Sequence, residues 1–333
     1  MQTEFNDGDV LFRYDELQGT AIQQQKPWGR NPHFFKHVRI TGNALIKMAK
    51  HCRSGGNLEV MGMLCGKTAG DTFLVLDCFA LPVVGTETRV NAQAEAYEYM
   101  VSFVQARQQV GRREHVIGWY HSHPGYGCWM SGIDCSTQLL NQQYTEPFVA
   151  LVIDPVRTCA SGRVNVGAFR TFPLGYSPPD DTRLKYQTVP TNKIKDFGVH
   201  ANQYYCLNTS FFKSSRVSAV LAAAWNNYWV NTLSSSPLHT NQTFVAGQIT
   251  DIAEKVMLSD CLESPHQKKN SVCTSKVAAA QHCKLLLSAY DGSIISMEQT
   301  KGSASRALKE SIFNFAVKPG KVLSNQGTLV RER

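Results

Sequence analysis

An α/β sandwich built on one sheet, followed by a mainly helical region, is the fold this sequence predicts. Three features carry the expectation. Short apolar, β-branched runs alternate with single amphipathic segments as far as Phe172. Pro173, Pro178, Pro179 and Pro190, with charges between them, mark a long connection near 173–195. Beyond that connection the chain turns rich in Ala and Leu at helical spacing.

The elements follow in order. Residues 1–30, with three consecutive glutamines before Pro27, read as an extended arm. Phe35 to Ile40 reads as a strand, and Asn43 as the N-cap of a helix over Ala44 to His51 that Gly55-Gly56 stops. Glu59 to Cys65 and Thr72 to Leu81, divided by a Gly/Asp turn, form a hairpin signal. Gly85 to Asn91 is a polar loop, and Ala92 to Gln109 is helical, with Ala96, Tyr99, Met100, Phe103 and Val104 on one side. Strands are expected at Val116 to His121, Phe148 to Ile153 and Val164 to Phe172, and a helix at Gly132 to Asn141. Asn141-Gln-Gln reads as the polar end of that helix. Later helices are expected at Ser215 to Val230, Gln248 to Leu258, Lys276 to Leu287 and Ser305 to Val317, with a polar stretch from Ser259 to Ser275.

Composition bounds the function. Apolar residues at 43% and charged residues at 18% are enough to bury a core and leave a solvated surface. No apolar run approaches the roughly 20 residues a membrane helix needs, and the N-terminus lacks the apolar core of a secretory signal. An intracellular protein without a membrane role is expected. Ten cysteines scattered without a C-x-x-C pair read as reduced, buried small hydrophobes. The formal charge of +8 is partly terminal: residues 301–333 hold seven Lys/Arg against two Glu. No aromatic interleaving accompanies them, so a solvated tail is expected and nucleic acid is not.

The chemistry concentrates in Gly118 to Asp134, GWYHSHPGYGCWMSGID. Alternate side chains of a strand share a face, so His121 and His123 project together as neighbouring imidazoles. Pro124 ends the strand, and Gly125 and Gly127 let the chain turn. Asp134 then falls in the first turn of a helix, where the N-terminal dipole favours its ionised form. Two histidines and one carboxylate leave a fourth tetrahedral position open, the mark of a catalytic zinc site rather than a structural one. Other readings stay open on these residues alone. Ser131 and Asp134 fit a capping box. His121 and His123 with Cys128 and Cys135 make up the donors of a Cys2His2 site, although no zinc-finger spacing matches. The P-C-x-x-C half of a zinc deaminase signature is missing. Glu59 alone reads as an exposed strand residue, and His115 as uninvolved.

His121-Ser-His123-Pro, six further residues and Ser131-x-x-Asp134 together resemble the signature of the MPN/JAMM metalloproteases, with Glu59 in NLEVMG at the position of that family's upstream glutamate. The resemblance covers residues 30–230. Longer stretches (ALPV-x-GTETRVNAQ, GWYHSHPGYGCW and NQQ-x-x-EPFVA) resemble the branch of the family that serves the COP9 signalosome. The resemblance implies an MPN domain with a curved mixed sheet flanked by helices over 31–195, after the arm of 1–30 and before a helical assembly region over 196–333. It implies one Zn2+ per chain on His121, His123 and Asp134, Glu59 as general base and acid, and Ser131 as hydrogen-bond donor to the oxyanion. The implied reaction is removal of a ubiquitin-like modifier from cullins. The implied partners are other signalosome subunits, the MPN-domain scaffold subunit above all, and cullin-RING ligases; cytoplasm and nucleus are the implied locations. Thr86, Glu87 and Arg89 match a loop that covers the cleft in this branch, and Glu87 is expected to restrain the free subunit. A deubiquitinase of a sister branch and a non-catalytic scaffold are the alternatives.

Overall fold

The computed structural model describes residues 7–13, 16–84, 90–161, 163–176, 178, 188–223, 241–260 and 273–317. The chain divides into two compact units, 1–225 and 226–333.

Among the described residues the first unit has seven strands: β1 (His37–Thr41), β2 (Val60–Ala69), β3 (Thr72–Val84), β4 (His115–Ser122), β5 (Val149–Asp154), β6 (Asn165–Thr171) and β7 (Tyr204–Phe212). They close into a barrel in the order β1-β3-β2-β4-β5-β6-β7. The sheet is mixed as expected: β1 runs parallel to β3 and β7, and β4 parallel to β5. The β2–β3 hairpin and the β2–β4, β5–β6 and β6–β7 pairs are antiparallel. Closure rests on β7, which lies beyond the expected domain limit at residue 195. The first unit therefore continues past that limit, because β7 supplies the ladder that joins β6 to β1.

Helices α1 (Asp7–Val10), α2 (Glu16–Gln25), α3 (Gly42–Ser54), α4 (Val90–Gln109), α5 (Gly132–Tyr144), α6 (Pro155–Ser161) and α7 (Ile194–His200) complete this unit, with residues 215–223 also helical. The arm of residues 1–30 thus carries α1 and α2. Thr41, rather than Asn43, caps α3: its Oγ1 accepts from Asn43 N at 3.1 Å.

Alternation along β5 explains the layering. Val149, Leu151 and Ile153 enter a core with Met48 and Cys52 of α3, while Ala150 and Val152 face Cys135 of α5. With both faces covered, all six residues of β5 are buried, which is why Val149 to Ile153 is continuously apolar. Close strand approach fixes Gly118 in β4, where a Cβ would meet the Val149 carbonyl oxygen at 2.1 Å.

In the second unit α8 (Gln242–Asp260) packs against α9 (Cys273–Val317). The two short helices expected at 276–287 and 305–317 are parts of one 45-residue helix. Lys255 of α8 bridges Asp251 at 2.7 Å and the buried Asp291 of α9 at 3.0 Å. Among the described residues no helix is long and apolar enough to cross a membrane.

Candidate metal centre

The site sits where β4 and β5 end and α5 begins. Trp119 and His121 share the α5-facing side of β4, and their rings stack at 4.6 Å and 19°. His123 N donates to the Ile153 carbonyl at 2.9 Å, extending the β4–β5 ladder one residue past the strand. Both imidazoles are thus carried by hydrogen-bonded backbone rather than by a free loop. Ser131 caps α5, and its capping box turns the Asp134 carboxylate back toward the strand ends. Asp134 Oδ2 accepts from Ser131 N and from Ser131 Oγ, each at 2.8 Å. The capping reading and the ligand reading therefore coexist, since one oxygen serves the helix start and faces the histidines.

His121, His123 and Asp134 are all buried and bring one donor atom each to a single point. The separations are 3.1 Å between the two Nε2 atoms, 3.3 Å from His121 Nε2 to Asp134 Oδ2, and 3.5 Å from His123 Nε2 to the same oxygen. A tetrahedral zinc with ligands at about 2.0–2.1 Å has ligand–ligand edges of about 3.3–3.4 Å, so this triangle fits one face of such a site. His123 Nδ1 lies 3.1 Å from the Gly127 carbonyl. A carbonyl only accepts, so the proton is on Nδ1 and Nε2 keeps its lone pair for a cation.

Electrostatics favour a cation at the same point. Burial opposes charge on Asp134, yet His121 and His123 outweigh it and hold the carboxyl well below its ordinary value. Burial likewise opposes charge on His121, but the Asp134 carboxylate, with help from Glu59, raises its pKa. For His123 burial wins, and its pKa is lowered. A carboxylate beside imidazoles of unequal basicity is held ionised in a water-poor setting.

Glu59 is exposed and directly precedes β2. Val60 N donates to Ser122 Oγ at 2.9 Å, and Met61 pairs with His121, which brings Glu59 beside the imidazoles. Tyr126 donates a hydrogen bond from its hydroxyl to Glu59 Oε1 and packs its ring on His123 at 4.5 Å.

The cysteine alternative finds no support in this geometry. Cys128 Sγ turns to Asn165 Oδ1 at 2.9 Å, and Cys135 Sγ faces the Met130 carbonyl. Burial pushes both thiols up to about 12, away from the thiolate that zinc requires. Thr86, Glu87 and Arg89 lie outside the described residues.

Groups that the local sequence pattern does not single out brace the site. Trp119 Nε1 donates to Gln138 Oε1 at 2.8 Å, and Gln138 Nε2 donates to Gln142 Oε1 at 2.8 Å and to the Phe148 carbonyl at 3.1 Å. Gln142 in turn exchanges two bonds with the Thr171 backbone, each at 2.9 Å. Gln142, at the polar end of α5, is therefore also a buried brace. The i, i+4 spacing of Gln138 and Gln142 was the available signal.

This fold and site define a class, the MPN domain. Residues 33–147 match the family model described as JAB1/Mov34/MPN/PAD-1 ubiquitin protease, and residues 234–314 match the Cop9 signalosome subunit 5 C-terminal domain. The COP9 signalosome complex subunit 5b of Arabidopsis thaliana is 53% identical over 308 residues, covering 92% of this chain and 86% of the relative. Subunit 5 of Drosophila melanogaster is 52% identical over 306 residues, and that of Dictyostelium discoideum 51% over 308, each covering 92% of this chain and 91% of the relative. The chain belongs to the COP9 signalosome subunit 5 family.

Proposed function

We propose that this chain is a zinc-dependent isopeptidase that removes a ubiquitin-like modifier from cullins, as the catalytic subunit of a COP9 signalosome. The observation that carries the reading is the triangle of His121 Nε2, His123 Nε2 and Asp134 Oδ2, whose edges suit one tetrahedral cation. One Zn2+ held there supplies Lewis acidity and lowers the pKa of water to about 7.

The chain's own residues do the rest. Glu59 accepts the proton of the attacking water and returns it to the leaving lysine amine. Tyr126, bonded to Glu59, keeps that carboxylate on the histidine side of the cleft. Ser131 turns its hydroxyl from Asp134 to the developing oxyanion. Burial of all three ligand side chains excludes competing water. The helical region matched over 234–314 serves docking to other subunits, including the MPN scaffold subunit. Cytoplasm and nucleus are the proposed locations, checked by imaging the tagged chain.

The test joins metal quantification to cleavage of modified cullin, by the chain alone and within its complex, with ubiquitin chains in parallel. One zinc per chain and preferential cullin processing are expected. Preferential cleavage of ubiquitin chains would transfer the reading to a sister deubiquitinase branch, and a metal-free, inactive complex would leave a scaffold. Glu87, beside Thr86 and Arg89, is proposed to restrain the free chain; an unchanged rate in Glu87→Ala would refute that.

A further inference from the structure

Asp154 is wholly buried at the end of β5 and takes no place among the metal donors, yet three hydrogen bonds and one ion pair converge on it. Its Oδ1 accepts from Gly125 N at 3.0 Å and from Arg157 N at 2.9 Å. Its Oδ2 accepts from Gly127 N at 2.9 Å and lies 3.3 Å from Arg157 Nε. Part of this is ordinary helix capping: Asp154 precedes Pro155 at the start of α6, and the bond from Arg157 N is the N-cap bond. The two glycine amides are something else. They belong to the turn after His123, where Gly125 and Gly127 hold φ of 86° and 89°, open to glycine without strain. Gly127, held through its N–H by Asp154, offers its carbonyl to His123 Nδ1 at 3.1 Å.

The geometry points to Asp154 as a positioning residue that, through Gly127, holds His123 as the Nδ1–H tautomer with Nε2 turned to the metal. This rests on the metal-site reading given above. The physical logic is a relay of fixed donors. A carboxylate presents only acceptors, so both of its oxygens demand amide protons, and the turn has one arrangement that supplies two. That arrangement points the Gly127 carbonyl at His123, and a carbonyl admits one tautomer there. Without the clamp the glycine turn has other conformations of similar energy, and the carbonyl loses its aim.

Asp154→Asn separates the two roles, because asparagine caps a helix as well as aspartate does. Its single oxygen retains Arg157 N and Gly125 N, while its amide places a donor against the Gly127 N–H. In the metal-free full chain with 15N-labelled histidine, two-bond 1H–15N correlations read the His123 tautomer directly. The wild type is expected to show protonated Nδ1, and Asp154→Asn a mixture, with zinc affinity in chelator competition weaker by about tenfold. Ile153→Val, matched for loss of thermal stability, is expected to change neither readout. A wild-type His123 protonated on Nε2, an unchanged tautomer and affinity in Asp154→Asn, or an equal zinc loss in Ile153→Val would each overturn the assignment. Should Asp154→Asn fail to fold, Gly125→Ala strains the same turn without touching the buried carboxylate. It is expected to weaken zinc similarly, and unchanged binding would count against the clamp. Wild-type zinc affinity in His123→Ala would instead remove the metal site itself, an outcome distinct from failure of the clamp.

Discussion

Asp134→Asn tests the site most sharply, because it removes a charge and a ligand while leaving the helix start intact. The amide oxygen can still accept from Ser131 N, now bonded at 2.8 Å, so the capping box persists. Loss of negative charge from the first turn costs about 0.3–1 kcal/mol, and the metal-free variant should melt close to the wild type. The effect on zinc is far larger. Four-ligand zinc sites bind with roughly 10–16 kcal/mol, or about 2.5–4 kcal/mol per ligand. Removing one of three protein donors should weaken affinity by about 10²–10³, at 1.4 kcal/mol per tenfold. Zinc at 100 times the wild-type dissociation constant adds about 2.7 kcal/mol. For a unit of this size that raises the melting temperature by roughly 5–10 °C. In Asp134→Asn the same zinc adds under about 0.5 kcal/mol, a rise of at most about 2 °C. Calorimetry with and without zinc, joined to chelator competition, reads both numbers. A variant that keeps the full zinc-dependent rise would show that Asp134 only caps α5, and the ligand set proposed here would be wrong.

Three further outcomes follow from the same geometry. Despite burial, Asp134 raises the His121 pKa above the ordinary 6.5. The ligand must be neutral, so zinc affinity should already be falling at a pH above 6.5; a flat profile down to that pH would contradict the pairing. Glu59→Gln should leave zinc binding within a few fold and slow cleavage by about 10²–10⁴ in single-turnover assays, whereas equal loss of zinc would make Glu59 a ligand instead. Arg107 of α4 grips Asp77 of β3 at 2.7 Å with both side chains about nine-tenths buried, and the exposed Lys47 adds a second bond at 2.6 Å. Arg107→Met should cost about 3 kcal/mol by urea unfolding, since it takes the buried guanidinium from both Asp77 and Glu114 and leaves Asp77 only the exposed Lys47 as a cationic partner. Burial opposes the Asp77 charge, yet Lys47 and Arg107 hold its pKa below 3.8. That stability is therefore present above 3.8 and lost as pH falls through the folded value, so wild type and variant should converge in acid.

The clustering of His121, His123 and Asp134 was legible because the three lie within fourteen residues, on a strand end and the next helix start, where local periodicity fixes direction. Glu59 was legible through the family resemblance alone, because the Val60–Ser122 bond and the β2–β4 register, both long-range, bring it to the histidines. The seventh strand was hidden for a related reason. YYCLNTSFF follows a proline-rich connection, and its burial is decided by β6 and β1, the latter more than 160 residues earlier. Closure of the barrel is thus a long-range fact that no window of sequence contains.

The same distinction governs what supports the ligands. Asp154 in VIDP looks like a helix cap, and Gln138 and Gln142 look like helix surface, since each has the residue type such places favour. Their second partners come from other elements: the glycine turn for Asp154, Trp119 and Phe148 for Gln138, and Thr171 for Gln142. Replacing Gln138 by leucine, harmless by helix propensity, would strand the buried Trp119 N–H, while the Phe148 carbonyl would keep its bond from Arg170. Because Trp119 stacks on His121, the disturbance would reach the ligand through one ring. Sequence therefore exposes the atoms that do chemistry, while the order that makes them a site resides in contacts between distant segments.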